Sequence, residues 1–202
     1  MNRKLKNLLV LLVYVLILTV APADARETYR QLVARMVQHV AASNAERGAL
    51  EQQLLQLANQ YRRSNGLNQL KDNQVNHEAA VAHAMDMMQH DYIGHVASSG
   101  HDFDSRMRAL RNGAMVLPSM AENAARLSHG NVNEAEAAGQ IFQQWVSSPP
   151  HRHTLLSRNY VSVATGVVVQ GGKIYADQIF IGPEVVSNVG RATTQEDLGS
   201  LY

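Results

Sequence analysis

The feature that most constrains the fold is a pair of strand-like runs near the end of the chain. Residues 160–170, YVSVATGVVVQ, and residues 173–182, KIYADQIFIG, are rich in β-branched and aromatic residues. Gly171 and Gly172 join them, and two adjacent glycines are a strong signal for a tight hairpin turn. The pattern therefore predicts a β-hairpin in which the two runs pair as antiparallel strands.

The stretches before this hairpin have helical periodicity instead. Residues 27–42 place apolar side chains on one stripe, which predicts an amphipathic helix. The order is thus helices first and a hairpin last, which indicates an α+β domain. Further helices are predicted over residues 49–64, from caps at Asp72 and Asn73 through residue 90, over residues 103–110, and from a cap at Asn131 or Asn133 to Trp145.

The first 25 residues have the pattern of an export signal. A basic start precedes the apolar run Leu8–Val20, and small residues at Ala23–Ala25 predict cleavage before Arg26. The apolar core has 13 residues, whereas a membrane span needs about 20. We therefore expect an exported protein, periplasmic or extracellular, without a stable membrane span; an uncleaved anchor is the alternative.

Charge and cysteine content exclude several classes of protein. The chain has 202 residues and no cysteine, which removes disulfides, thiol catalysis, cysteine-ligated metals and a lipid-modified cysteine. Without residues 1–25 it keeps 15 basic and 16 acidic residues, a formal charge of −1, which argues against a nucleic-acid partner. We expect an additional N-terminal helix within residues 26–48, one domain over residues 49–184, and a polar, mobile tail over residues 185–202.

Most histidines do not match a known catalytic or metal motif. His77 begins a sequence similar to the zinc-protease helix motif, but Val81 stands where the second histidine is required. His83 and His90 do not have the required spacing from His77 either, so we interpret them as packing residues. No Gly-x-Ser-x-Gly sequence supports a serine nucleophile at Ser98.

The stretch QQWVSSPPHRHTLL, residues 143–156, predicts the start of another helix. Pro149–Pro150 suit a first helical turn, and Ser147 and Ser148 are predicted caps whose hydroxyls bond backbone amides. His151 then lies in the first turn, where the helix dipole favours a neutral imidazole. His153 follows two residues later, at about 200° around the helix, so the two rings cannot form a metal clip. We interpret His153 as a surface or packing residue.

Five segments, in order, resemble the secreted CAP (sperm-coating-protein-like, SCP) family in its cysteine-free bacterial form. Each segment alone is weak, but their order and spacing are similar to the family's over roughly Leu50–Gly182. They are LLQLANQYRRSNGLNQL, AHAMDMMQHDYIGHVASSG with the nearby Arg106, AENAA, WVSSPPHRHTLL, and the closing TGVVV and YADQIF.

The resemblance implies a three-layer α-β-α sandwich with a polar cleft. By position, the cleft residues are His95, Glu122 and His151, and Ser148 stands where the eukaryotic branch has a second glutamate. Two imidazoles and a carboxylate are sufficient for a zinc-like divalent ion with an open position, or for a hydrogen-bonded structural cluster. We expect any such metal on His95 and His151.

Two functional hypotheses follow. The first is a binding module, since the resemblance implies lipid, sterol or peptide ligands in some members. The alternative is a metal-dependent hydrolase with Glu122 as base. The N-terminal helix, residues 27–42, lies outside the resemblance, and it either presents a surface to a protein partner or packs on the domain.

Overall fold

The computed structural model describes residues 27–41, 45–111, 117–128 and 133–184. The predicted signal, residues 1–25, and the predicted tail, residues 185–202, lie outside them. Within these ranges the α-helices are α1 (Tyr29–Ala41), α2 (Ala45–Ser64), α3 (His77–Gln89), α4 (Phe103–Leu110), α5 (Glu134–Ser147) and α6 (Pro149–Leu156), and the strands are β1 (Lys71–Asp72), β2 (Met120–Ser128), β3 (Ser162–Gln170) and β4 (Lys173–Ile181).

The four strands form one sheet in the order β1-β3-β4-β2. Strands β3 and β4 are the predicted hairpin, antiparallel from Ser162–Ile181 to Gln170–Lys173. Gly171 and Gly172 form its turn with φ values of 59° and 72°, a left-handed backbone that favours glycine. Strand β2 pairs antiparallel with β4, and the short β1 pairs parallel with β3.

Helices cover both faces of the sheet, which confirms the predicted α-β-α sandwich. Helices α2, α5 and α6 pack on one face around the fully buried Trp145, and α1, α3 and α4 lie on the other. The strand residues alternate accordingly: Val163 and Val167 face α2, whereas Ala164 and Val168 face α3.

Helix α3 lies unusually close to the sheet because a glycine faces it. A Cβ added to Gly166 would lie 2.2 Å from the backbone nitrogen of Val81. No side chain fits in that space, so Gly166 sets the distance between β3 and α3. This contact brings the side chains of α3 within reach of groups on β2 and β4.

Several predicted helix limits are confirmed, and others are corrected. Asn73 caps a 3-10 turn, Gln74–Asn76, that precedes α3, and its Oδ1 accepts from the Asn76 amide at 3.0 Å. Asn133, not Asn131, caps α5, accepting from the Glu136 amide at 3.0 Å. The prediction that α2 starts at Ala49 was wrong: the helix begins at Ala45 and continues through Gly48, because a single glycine costs a helix only about 1 kcal/mol.

The additional N-terminal helix packs on the domain. Tyr29, Val33 and Met36 of α1 are buried in one apolar cluster with Val81 and Met85 of α3. Its apolar stripe is thus largely used within the chain. None of the helices in the described residues is both long and apolar enough to cross a membrane.

Candidate functional site

The His95 loop, residues 90–102 between α3 and α4, carries the first predicted site residue. Asp86, buried in the last turns of α3, fastens both sides of this loop. Its Oδ2 accepts from the Tyr92 hydroxyl at 2.5 Å and from the Ser98 amide at 2.7 Å, and its Oδ1 accepts from the Ser98 hydroxyl. One turn earlier, His83 donates from Nε2 to the Gly94 carbonyl at 2.8 Å. Two side chains of α3 thus hold the segment around His95.

Glu122 lies in β2 on the face that α3 covers, and its carboxylate is the centre of the site. His95 donates from Nδ1 to Oε1 at 2.8 Å, and Arg106 donates from Nη2 to Oε2 at 2.5 Å. The Glu122 side chain is 2% exposed and that of Arg106 is 1% exposed, so this ion pair is buried. His83 lies behind it, with Nε2 3.7 Å from Oε1.

These contacts set the protonation states. Burial alone would raise the pKa of Glu122, but the hydrogen bond from His95 and the charge of Arg106 hold it below its usual value. The same hydrogen bond raises the pKa of His95. Burial lowers the pKa of His83, so its ring is neutral and its Nδ1 carries a lone pair. Glu122 is therefore an anion that accepts from a cation and an imidazole.

His151 faces His95 from the first turn of α6. The two ring centroids are 6.3 Å apart and the planes are inclined by 71°. Asn123 of β2 donates from Nδ2 to the His151 carbonyl at 3.1 Å and so ties the start of α6 to the strand that carries Glu122. Burial, with the nearby charge of His95, lowers the pKa of His151, so the predicted neutral imidazole is favoured mainly by burial.

Ser148 is the N-cap of α6, but its hydroxyl makes no capping hydrogen bond, so the predicted role of that hydroxyl was wrong. Pro150 removes the N2 amide that the hydroxyl could have bonded, and the hydroxyl does not bond the N3 amide of His151 either. Ser147 is the last residue of α5, where its hydroxyl accepts from Gln143 Nε2 at 3.1 Å. Among the described side chains, none of the hydrogen bonds joins Ser148 to His95, Glu122 or His151. His153 is exposed, as predicted.

The family model described as "CAP: Cysteine-rich secretory protein family" matches residues 55–183, more than half of the chain. The chain belongs to this CAP family. It is 31% identical over 117 residues to the "Uncharacterized membrane protein YlbC" of Bacillus subtilis, which covers 58% of this chain and 31% of that protein. The chain thus spans well under two thirds of that relative's length.

Two solved structures show the same fold. An extracellular protein containing a SCP domain from Bacillus anthracis matches with a TM-score of 0.55 and 24% identity, over 68% of this chain and 41% of that one. An outer surface protein from Borrelia burgdorferi matches with a TM-score of 0.53 and 14% identity, over 65% of this chain and 90% of that one. These similarities confirm the SCP-type sandwich.

The donor atoms of this CAP domain meet part of what a metal ion requires. Two imidazoles suit zinc, and the carboxylate on His95 Nδ1 is the usual outer partner of a histidine ligand. However, two imidazoles on one tetrahedral zinc have centroids roughly 5 Å apart, given Zn–N bonds of about 2.0–2.1 Å. The observed separation is 6.3 Å. In the described part of the chain, no group of three or more His, Cys, Asp or Glu residues could hold an ion.

Sequence reasoning brought His95, Glu122 and His151 together by resemblance, but it missed the residues that support them. Arg106 entered only as part of a motif, and His83 only as a packing residue. Asp86 was not considered, and neither was Asp177, a buried carboxyl in β4. For Asp177 the available signal was an acidic residue in the middle of the mostly apolar strand run KIYADQIFIG.

Proposed function

We propose that this is an exported CAP-domain protein whose cleft binds a small ligand with an apolar body and a polar group. One observation carries the proposal. The side chain of His95 is 51% exposed yet is held from behind by the buried Glu122. Two exposed apolar residues, Ile93 at 46% and Val96 at 54%, lie close to it in the same loop. A positioned polar group beside exposed apolar surface matches a lipid, a sterol or a peptide.

The state of Glu122 favours binding over hydrolysis. A general base needs a free lone pair toward its substrate and a pKa near the working pH. Both oxygens of Glu122 already accept strong hydrogen bonds, and its pKa is held low. The hydrolase hypothesis with Glu122 as base therefore has less support from the geometry than the binding hypothesis.

A divalent metal ion, with His95 and His151 as its protein ligands, is also part of the proposal. Because the two rings supply only two donors, its remaining ligands would come from water or from the bound molecule. When bound, such an ion would polarise a carbonyl or carboxylate of that molecule.

Export is proposed from the basic and apolar pattern of residues 1–25, with cleavage before Arg26. The two similar solved structures are of an extracellular protein and an outer surface protein, which supports export. Intact mass and N-terminal sequencing of protein recovered from its own cells test this proposal. A mature chain that retains residues 1–25 would contradict it.

Native mass spectrometry of protein purified from its own envelope in chelator-free buffer tests ligand and metal binding together. We expect a co-purifying small molecule that is lost from a variant with Ile93→Ser and Val96→Ser, and from His95→Ala. His153→Ala is the matched control, since His153 is exposed and outside the site. A ligand-free wild type that also fails to bind lipid, sterol and peptide panels would refute the binding function.

The same spectra test the metal. We expect any bound zinc to be lost in His95→Ala and in His151→Ala, and to be retained in His153→Ala. A metal that survives both site variants would lie elsewhere in the protein.

A further inference from the structure

Asp177 is a fully buried carboxyl in the middle of β4, and neither of its oxygens has a hydrogen-bond partner among the described residues. An ionised carboxylate in such a place is unfavourable, because it has lost water and has no hydrogen bond in return, and the nearby charge of Arg106 offsets that loss only in part. The protonation state of Asp177 therefore needs an explanation that does not apply to the exposed, solvated carboxylates.

The sheet register places Asp177 beside Glu122. Asp177 is directly opposite Ala124 of β2, and Glu122 is two residues from Ala124, so both carboxyl side chains leave the same face of the sheet. On the other side of Asp177, β3 contributes Gly166, which has no side chain. The nearest acceptor of appropriate strength is thus the carboxylate of Glu122.

The charged and titratable groups from every other element packed on this face are few. Helix α4 contributes Arg106, and α1 contributes Tyr29. Helix α3 contributes His83 and Asp86, and the carboxylate of Asp86 is already bonded by Tyr92 and Ser98 of the His95 loop. That loop also contributes His95, which donates to Glu122. Burial keeps His83 neutral, and it raises the pKa of Tyr29 to about 12, so the hydroxyl stays protonated. One guanidinium therefore faces two carboxyl groups, and Glu122 takes its Nη2 donor at 2.5 Å.

We propose that Asp177 is a neutral carboxylic acid in the folded protein and that its proton is directed to Glu122. This assignment leaves one cation, Arg106, against one anion, Glu122, in the buried cluster. Burial, with the nearby charge of Glu122, raises the pKa of Asp177 well above its ordinary value, in agreement with the geometry.

The consequence is a positioning role behind the cleft. With Asp177 as a third donor beside His95 and Arg106, the Glu122 carboxylate would be held from three directions. Its orientation fixes the ring of His95, so Asp177 acts on the cleft through Glu122 and touches no ligand. This inference does not depend on the proposed binding function.

The first experiment measures stability against pH for the wild type and for Asp177→Asn. Asn has nearly the same shape, stays neutral and can still donate to Glu122. If the pKa of Asp177 is higher in the folded than in the unfolded protein, its protonation stabilises the fold. That stabilisation is complete below the unfolded pKa of about 3.9 and is lost as pH rises through the folded pKa. We therefore expect the urea midpoint of the wild type to fall relative to the variant as pH rises above about 4. A midpoint that rises relative to the variant would show an ionised Asp177 paired with Arg106, and a constant difference would equally overturn the proposal.

A second measurement uses the wild type alone, so it does not require the variant to fold. Aspartate labelled with ¹³C at the carboxyl carbon is assigned by NMR through the β4 backbone at neutral pH. We expect the Asp177 carboxyl to have the chemical shift of a protonated acid, while the exposed Asp102, whose pKa is lowered by its hydrogen bonds from Ser105, serves as the ionised internal control. A carboxylate shift for Asp177 would overturn the assignment.

Replacement of Asp177 also tests the positioning role. In Asp177→Asn we expect the His95 imidazole resonances to stay within the wild-type range, because Glu122 keeps its third donor. In Asp177→Val that donor is absent, and we expect the pKa of His95 to rise as Glu122 becomes the stronger acceptor. Equal His95 titration curves in the wild type and in a folded Asp177→Val would refute the role.

Discussion

Arg106→Met tests whether the buried ion pair holds the site together. The substitution replaces a fully buried guanidinium with a shorter, apolar side chain. It removes the donor to Glu122 Oε2 at 2.5 Å and the longer contact with the His95 carbonyl at 3.3 Å. Glu122, 2% exposed, then lies in the interior without its cation.

The expected loss is large because the remaining charge cannot reach water. Removal of one partner from a buried ion pair destabilises a protein by about 3–5 kcal/mol. For a domain of this size that corresponds to a decrease in melting temperature of roughly 6–20 °C. Since total stabilities are about 5–15 kcal/mol, the variant would be folded but marginal.

The loss should depend on pH in a defined direction. In the wild type the pKa of Glu122 is lower in the folded than in the unfolded protein, so its ionised form stabilises the fold at pH values above the unfolded pKa of about 4.3. This stabilisation is lost as pH falls through the folded pKa. In Arg106→Met, burial would raise the pKa of Glu122 instead, so protonation would relieve the penalty. The difference between the two proteins should therefore be greatest near pH 7 and shrink toward pH 4.

Urea denaturation at several pH values measures both quantities. Trp145, the single tryptophan, is fully buried in the core and reports unfolding by fluorescence. Arg126→Met is the matched control: Arg126 is half exposed, 3.5 Å from Asp91, and its loss should change stability by less than about 1 kcal/mol. A double variant with Glu122→Gln should recover part of the loss. An Arg106→Met protein within about 1 kcal/mol of wild type at pH 7, or a pH-independent loss, would refute this reasoning.

Three further predictions concern packing, the loop and the cleft. Gly166→Ala should abolish folding, because a Cβ there would meet the backbone of α3 at 2.2 Å. Gly139→Ala, where a Cβ meets nothing within 4 Å, should instead stabilise α5 by up to about 1 kcal/mol. Thermal melting compares the two variants with the wild type. Asp86→Asn should increase hydrogen exchange of residues 92–98, and unchanged protection would contradict its fastening role. In NMR titrations His95 should have a pKa above, and His151 one below, the ordinary value of about 6.5, and the reverse order would contradict the site geometry.

The fold could be predicted because its signals are local. Periodicity and glycine pairs locate helices and the hairpin, and caps such as Asn133 mark where a helix begins. Capping contacts are harder to predict, because a residue at the cap position need not form the hydrogen bond. Ser148 has the right position for a cap, but Pro150 lacks one of the two amides that a cap can bond, and the hydroxyl makes no capping hydrogen bond.

The site was predictable only in part, because it consists of contacts between distant segments. His95 and Glu122 are 27 residues apart, and nothing local indicates that they meet. The family resemblance supplied that pair, because the corresponding residues of the family already lie together in its fold. It did not supply Asp177, whose burial and lack of a partner follow from the register of β2 and β4.

The charge assigned to Asp177 determines how the cleft should respond to pH. With Asp177 neutral, the charges of Arg106 and Glu122 cancel, so the pH response of the site comes from its two imidazoles. Because the pKa of His95 is raised and that of His151 is lowered, between the two values His95 is charged and His151 is neutral. A ligand with a carboxylate or phosphate should therefore bind more weakly as pH rises through the pKa of His95, whereas an uncharged sterol should not respond. Affinities measured across that interval distinguish the two ligand classes, and an anionic ligand whose affinity is independent of pH would contradict the charge assignment.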